Sequence, residues 1–315
     1  MPVVVTGSAG FLGRVVVGEL LARGRRVIGI DRREVVARQP AATQEPGHLM
    51  LTGDLLDRDD LVDAAFDTAD AVIHLAGCPG TRDSAPDVER RRARDNVAAT
   101  ARVLGAVPLG VPVLVASSSS VYGGSAGAPS REGDRLEPRG GYARSKVAVE
   151  GLCTRRTAAG GAVTVVRPFT VVGEGQRPDM ALARWLDAVA ADKPLEVFGS
   201  LRRTRDLTDV RDVARVLATL AEPGRAPGGA LNIGTGRPRS LGDLVAAVAL
   251  VTGRPVRTVV SPATAVDPPE TWAHTARLRE VVGFVPRTEL ADVVARAASR
   301  VVPAHPSQPA LAVGG

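Results

Sequence analysis

Two lysines, two tyrosines and two cysteines are a thin supply of reactive side chains for 315 residues, and each shortage excludes something. Cys78 and Cys153 cannot build a disulfide framework in a chain of this size, which points to a reducing compartment. The longest apolar run, residues 244–251, is far too short to cross a bilayer, and no basic segment precedes an apolar stretch at the N-terminus. The expectation is a cytoplasmic chain that meets no membrane. Aromatic residues make up 3% of the chain, so leucine, valine and alanine must fill the interior. That scarcity also bears on charge. A net charge of +6 invites a nucleic-acid partner, yet the thirty-eight arginines are spread along the chain apart from clusters at 90–94 and 202–205. No aromatic residues interleave with them to stack on bases. No nucleic acid is expected, and an anionic small molecule is the expected partner.

Against this background Tyr142 and Lys146 stand out, because each comes from a residue type used only twice. Positions i and i+4 share a helix face, so the ammonium can sit near the phenol. A nearby cation favours the phenolate and lowers the tyrosine's pKa, giving a general base that works near neutral pH. An ordinary surface pair is the alternative reading.

Strand-like and helix-like segments alternate, which predicts an α/β fold, a doubly wound parallel sheet with helices on both faces. Strands are expected at 3–6, 26–31, 48–52, 71–74, 111–117 and 162–168, with helices over 11–22, 58–66, 87–104 and 142–157. Beyond Pro168 the alternation loosens into helices at 179–191, 210–220 and 241–251 and strands at 195–198 and 230–233. Residues 1–168 are expected to form a nucleotide-binding domain to which about 206–240 returns, and 169–301 mainly a smaller C-terminal α/β substrate domain. Residues 302–315, rich in Pro, Ala and Gly, are expected to be a disordered tail.

The segment TGSAGFLG puts Gly7, Gly10 and Gly13 between the first strand and the first helix. Glycine there permits the tight turn and lets backbone N–H groups approach a pyrophosphate at the helix N-terminus, the Rossmann arrangement. Asp31 follows at the end of the second strand. Its carboxylate can accept hydrogen bonds from ribose hydroxyls and would repel a 2′-phosphate, so NAD is favoured over NADP. Arg32 and Arg33 come next and weaken that preference. No set of residues with metal-ligand spacing is apparent. His74 reads as a structural residue of its turn and Cys78 as a buried small residue.

These motifs, as an ordered set, resemble the extended short-chain dehydrogenase/reductase family of nucleotide-sugar enzymes over residues 3–290 or so. The resemblance implies that Phe11 and Leu12 join the glycines at the cofactor. It implies the same for Asp54 and Leu55 of GDLLD, for Leu75, Ala76 and Gly77 of HLAG, and for Asn96. SSSSVYG at 117–123 and YARSK at 142–146 correspond to the catalytic segments, which makes Ser118, Tyr142 and Lys146 the implied catalytic set. RDLTDV at 205–210 resembles a segment whose arginine, here Arg205, holds the nucleotide diphosphate. Family dehydratases carry an acid/base pair after the catalytic hydroxyl, and decarboxylases a glutamate just before the valine. Here both positions are serine, Ser119 and Ser120, and serine cannot do that acid/base work. Epimerisation remains.

RPFTVVGEGQRPDMA at 167–181 and AGCPGTRDS at 76–84 resemble stretches of UDP-glucuronate 4-epimerases. The resemblance makes Arg177 the candidate partner of a substrate carboxylate, with Thr170, Ser119, Ser120 and Arg82 also at the sugar. A guanidinium meets a carboxylate with two parallel N–H bonds. Alternatively Arg177 anchors the following helix or a phosphate. The implied activity is NAD-dependent C4 epimerisation of a UDP-sugar, with a homodimer through the helices at 87–104 and 142–157. A 4-epimerase of UDP-glucose or its N-acetyl relative, a net dehydrogenase or reductase, and a non-catalytic NAD sensor stay open. Pro168, Val172, Asp209 and His274, and the turn at 200–203, depart from the family pattern without removing a catalytic group.

Overall fold

The computed structural model describes residues 1–32 and 46–299; Arg33 and the expected tail lie outside the described residues. The first half alternates as expected: β1 (Val3–Thr6), α1 (Phe11–Ala22), β2 (Val27–Asp31), β3 (His48–Thr52), α2 (Asp60–Asp67), β4 (Ala71–His74), α3 (Val88–Arg92), α4 (Ala99–Ala106), β5 (Val113–Ala116), α5 (Gly140–Ala158) and β6 (Val163–Pro168). Then come β7 (Thr170–Val172), α6 (Ala181–Ala190), β8 (Leu195–Phe198), β9 (Thr204–Arg205), β10 (Leu207–Asp209), α7 (Val210–Leu220) and β11 (Gly229–Ile233). β12 (Arg239–Ser240), α8 (Leu241–Thr252), β13 (Thr258–Ser261), α9 (Ala276–Val282) and α10 (Leu290–Ala298) complete the chain. Small differences from the sequence expectation have local causes. Asp59 accepts from the Leu61 amide at 2.9 Å and so caps α2 at Asp60.

Seven strands form one parallel sheet in the order β11-β6-β5-β4-β1-β2-β3. β1, VVVT, is buried along its whole length, as a central parallel strand covered on both faces must be. Winding reverses between β1 and β4, so the connections leaving those strands diverge and open a crevice at their C-terminal ends. α1 and α7 cover one face, where Val16, Val17 and Leu20 meet Val213, Val216 and Leu217. Phe66, Val103, Leu104, Val149 and Cys153 cover the other. Each such valine or leucine contributes about 1.5–3 kcal/mol on burial. A separate core joins Trp185, Leu186, Leu195, Val197, Leu207, Val248 and Val294 from α6, β8, β10, α8 and α10. Among the described residues no helix is long and apolar enough to cross a membrane.

Residues 87–104, expected as one regular helix, contain a wide turn. α3 runs into a π-helical segment, Ala93–Ala98, before α4. Asn96 within it is wholly buried and clamps Cys78, accepting from its N–H at 2.7 Å and donating to its carbonyl at 3.2 Å. Such π turns commonly mark functional sites, and this one stands behind the crevice.

His74 ends β4 and is 2% exposed. The Thr100 hydroxyl donates to the Asn96 carbonyl at 2.6 Å, so it accepts from His74 Nε2–H at 3.0 Å and leaves Nδ1 to accept from Thr6 at 2.7 Å. The neutral ring is fully satisfied. Burial, with the Lys146 charge second, pushes its pKa from 6.5 down to about 3. The unfolded chain therefore takes a proton below 6.5 while the folded one does not, so this contribution to stability is lost progressively as pH falls from 6.5 towards 3. Acidifying from about pH 7 to about pH 5 should cost about 2 kcal/mol through this residue. Urea unfolding at both pH values checks it, and His74→Gln should remove that part of the pH dependence.

Candidate active site

A cleft of about 1780 Å³ follows the C-terminal ends of the central strands, and every candidate residue taken from the sequence lines it. At its nucleotide end, Gly7 has φ +71°, and a Cβ there would sit 2.6 Å from the Ala76 nitrogen. A Cβ on Gly13 would fall 2.1 Å from the Gly7 carbonyl oxygen. Both contacts require glycine, and they bring α1 hard against the turn that leaves β1. Gly10 is the N-cap of α1, and the first turn has neither a side-chain cap nor an acid, so its amides face the cleft beside Phe11 and Leu12. Asp31 accepts from the Ala9 amide at 3.1 Å at the end of β2.

Asp54 accepts from the Leu56 amide at 3.0 Å and from Arg94 at 2.7 Å. Burial works against its charge, but those two donors outweigh burial and hold the carboxyl below its ordinary range. Arg32 pairs with Asp95 at 3.0 Å and lies 3.6 Å from Asp54, so its charge is turned onto these acids. Leu55, Leu75, Ala76 and Gly77 form the wall between, and a Cβ on Gly77 would meet Asn96 Oδ1 at 2.6 Å. The Asn96 amide is committed to Cys78 and to Ser145 at 2.8 Å, so it shapes this wall from behind. Free helix-terminal amides, a carboxylate at the second strand end and a glycine-lined slot fit NAD.

The three residues expected to be catalytic, Ser118, Tyr142 and Lys146, line this same cleft. Ser118 precedes a short 3₁₀ turn, Ser119–Tyr122, and its Oγ accepts from the Ser120 amide at 3.1 Å. Ser120 Oγ is buried in the cleft wall without a hydrogen-bond partner, a polar atom placed for a ligand. Tyr142 and Lys146 come from α5, and the Ser118 side chain is near enough to Tyr142 to favour its phenolate.

The sequence suggests that Lys146 draws the Tyr142 pKa down, and here the structure differs. Lys146 Nζ donates to the Ala116 carbonyl at 2.8 Å and lies 5.9 Å from the centre of the Tyr142 ring. Burial pushes the ammonium itself down to about 8. Tyr142 goes up: burial of the phenol outweighs its Ser118 hydrogen bond and the positive fields of Arg177 and Arg92. Helical spacing placed the two residues on one face, but the nearest acceptor, at the end of β5, took the ammonium.

Four further residues line the far end. Thr170 opens β7. Arg177 is held by Asp179 through two bonds of 2.8 Å, and Arg82 by Asp267 at 2.9 and 3.1 Å while its guanidinium lies 4.5 Å from the Phe198 ring centre. Arg205 donates to the Thr204 carbonyl at 2.7 Å and to the Pro269 carbonyl at 3.3 Å. Burial, opposed by Asp267 and reinforced by Arg203 and Arg82, pushes it down to about 10. A cation so crowded gains from an incoming anion. The departures from the family pattern have local roles. Asp209 caps α7, Val172 packs in the second core, and the His274 amide donates to the Ser130 carbonyl at 2.9 Å.

Parallel strands converging on a glycine cradle make this a dinucleotide-binding protein, with Ser118 and Tyr142 lining the same cleft. Residues 3–234 match the NAD dependent epimerase/dehydratase family, and the chain belongs to it. A protein of Bacillus subtilis (strain 168) described as an uncharacterized UDP-glucose epimerase, YtcB, is 31% identical, with 93% of this chain and 95% of that one covered. A probable UDP-glucuronate 4-epimerase of Rhizobium meliloti (strain 1021) is 30% identical, with 94% and 95% covered. The structure of MoeE5 in complex with UDP-glucuronic acid and NAD is 36% identical and superimposes with a TM-score of 0.85 over 95% of this chain and 98% of that one. MoeE5 is also known in complex with UDP-glucose and NAD.

With only two tyrosines in the chain, ultraviolet titration can isolate Tyr142. Burial pushes Tyr122 up to about 12. The difference between wild type and Tyr142→Phe should give a single tyrosinate step above the ordinary value of 10 in the cofactor-free protein. Arg177→Ala should move that step higher, since Arg177 favours the phenolate.

Proposed function

We propose that the chain epimerises a UDP-sugar at C4, taking UDP-glucuronate to UDP-galacturonate through a transient 4-keto intermediate. The observation that carries this reading is the meeting of Ser118, Tyr142 and Arg177 in one cleft, with serine at 119 and 120 where elimination would need acids. Bound NAD supplies a reversible hydride acceptor, so the sugar carbon can be oxidised and reduced again with no net redox change. Residues 1–168, with the returning 206–240, hold the cofactor, and 169–301 mainly hold the sugar nucleotide.

Tyr142 would take the proton of the C4 hydroxyl. Ser118 Oγ already accepts from the Ser120 amide, so its own proton is available to the substrate oxygen or to a forming phenolate. Lys146, anchored on the Ala116 carbonyl, would hold the nicotinamide ribose. Arg205 holds the diphosphate, around which the keto sugar turns to present its other face. Tyr142 and Ser118 would then return the proton to the C4 oxygen with that face presented, which leaves the configuration inverted.

A uronate brings a hazard, because its 4-keto form is a β-keto acid. Such acids lose CO₂ when the breaking C–C bond aligns with the carbonyl π system. Arg177 and Thr170, with Ser119 and Ser120, hold the carboxylate out of that alignment, and Arg82 closes the same end. Asp179 already occupies two donors of Arg177, so a substrate carboxylate must share that guanidinium. This favours a second reading, 4-epimerisation of UDP-glucose, whose hydroxymethyl group needs no cation. A cytoplasmic homodimer through the α3–α4 and α5 faces accompanies either reading, and light scattering checks the dimer.

The deciding experiment follows UDP-glucuronate and UDP-glucose in parallel by NMR with the purified protein and NAD. Conversion of UDP-glucuronate alone to its C4 epimer is expected. Conversion of UDP-glucose alone would transfer the assignment to the second reading, and conversion of neither would overturn both. Arg177→Ala should lower turnover of UDP-glucuronate about tenfold or more, through loss of a charge-assisted contact, and release CO₂. Normal turnover without CO₂ would exclude Arg177 as the carboxylate's partner.

A further inference from the structure

Behind the reacting centre lies a buried polar cluster that the mechanism above leaves without a role. Glu150 sits one helical turn beyond Lys146 on α5. Its Oε1 accepts from Ser117 Oγ at 2.5 Å and from Arg167 Nε at 2.9 Å, and its Oε2 from Arg167 at 2.6 Å. Arg167, on β6, is 4% exposed and also donates to the Tyr122 hydroxyl at 2.7 Å. The Tyr122 hydroxyl donates in turn to Asn232 Oδ1 at 2.7 Å, and Asn232 lies beside Arg167 on β11.

The placement of these contacts is informative. Ser117 and Tyr122 bracket the turn that carries Ser118, and Glu150 shares its helix with Tyr142 and Lys146. One ion pair thus ties both ends of the serine turn to the helix bearing the base. An apolar pair of similar volume would commonly stabilise the fold as well or better, because removing two charges from water offsets most of their attraction. What the ion pair adds is a directed set of bonds that admits one arrangement.

We propose that Glu150 and Arg167 are positioning residues that set the Ser118 hydroxyl against the Tyr142 phenol. This rests on the reading of Ser118 and Tyr142 as the proton-transfer pair. Slackening that contact removes an influence that favours the phenolate and misplaces the proton relay. A displacement of about 1 Å at such a site can lower turnover on the order of 100-fold.

Two variants test it: Glu150→Gln, and the charge-free double variant Glu150→Leu/Arg167→Met, which avoids leaving a buried charge unpaired. Thermal unfolding, NAD retention, kcat and KM on the UDP-sugar that wild type converts, and the Tyr142 tyrosinate titration are read for each. The double variant should fold and retain NAD, with KM within about twofold, while kcat falls on the order of 10- to 100-fold. Its tyrosinate step should move upward, as that of Ser118→Ala should. The inference is overturned if the folded double variant keeps the wild-type kcat and titration. Loss of NAD in step with kcat would also overturn it, since the pair would then merely support the fold. Tyr142→Phe distinguishes this failure from that of the underlying reading. If Tyr142→Phe stays active, the proton-transfer assignment is wrong. If it is inactive while the double variant works normally, only the positioning role fails.

Discussion

The approach of Gly13 to the Gly7 carbonyl decides where everything else can be. With no side chain on either residue, α1 begins so close to the end of β1 that its amides face the crevice at the β1–β4 reversal. That crevice is where a parallel sheet leaves its connections diverging. The connection after β4 must then pass the Gly7 turn at backbone distance, which brings Ala76 and Gly77 to the cleft wall. The Asn96 clamp on Cys78 continues the same wall one layer further out. A methyl group at Gly7 or Gly13 would meet backbone atoms rather than a flexible side chain, so the whole arrangement would have to shift.

A second regularity is the treatment of positive charge. Lys146 is buried and Arg205 half-buried, both have carbonyls as their hydrogen-bond partners, and burial pushes both below their ordinary pKa values. Arg177 and Arg82, nearer the sugar end, are instead held by Asp179 and Asp267. The cleft thus grades from cations that gain directly from an anion to cations that must exchange one carboxylate for another.

How much of this was legible in the sequence depended on how far apart the partners lie. The glycine triplet, Asp31 and the Tyr142–Lys146 spacing are local, and their period on strand or helix places them in the cleft. The direction of the Lys146 ammonium was not legible, because helical spacing fixes a face and not which acceptor on β5 it meets. Glu150 with Arg167 and Arg82 with Asp267 pair across 17 and 185 residues, and no pattern announces such partners. β9 and β12 have two residues each and carry no periodicity. The π turn at Ala93–Ala98 looks like ordinary helix in sequence, since its cause is the buried Asn96 contact with a distant loop.

The path of the chain between its two cores has a mechanical consequence. It passes from β6 into β7, back from β10 into α7, out again after β11, and once more between β13, α9 and α10. Arg14 adds a bond across to the Gly175 carbonyl at 2.6 Å. Strands joined at so many places cannot swing apart about one pivot. A hinged opening of the cleft would have to strain several of these connections at once, which favours sliding of packed elements over rotation about a hinge.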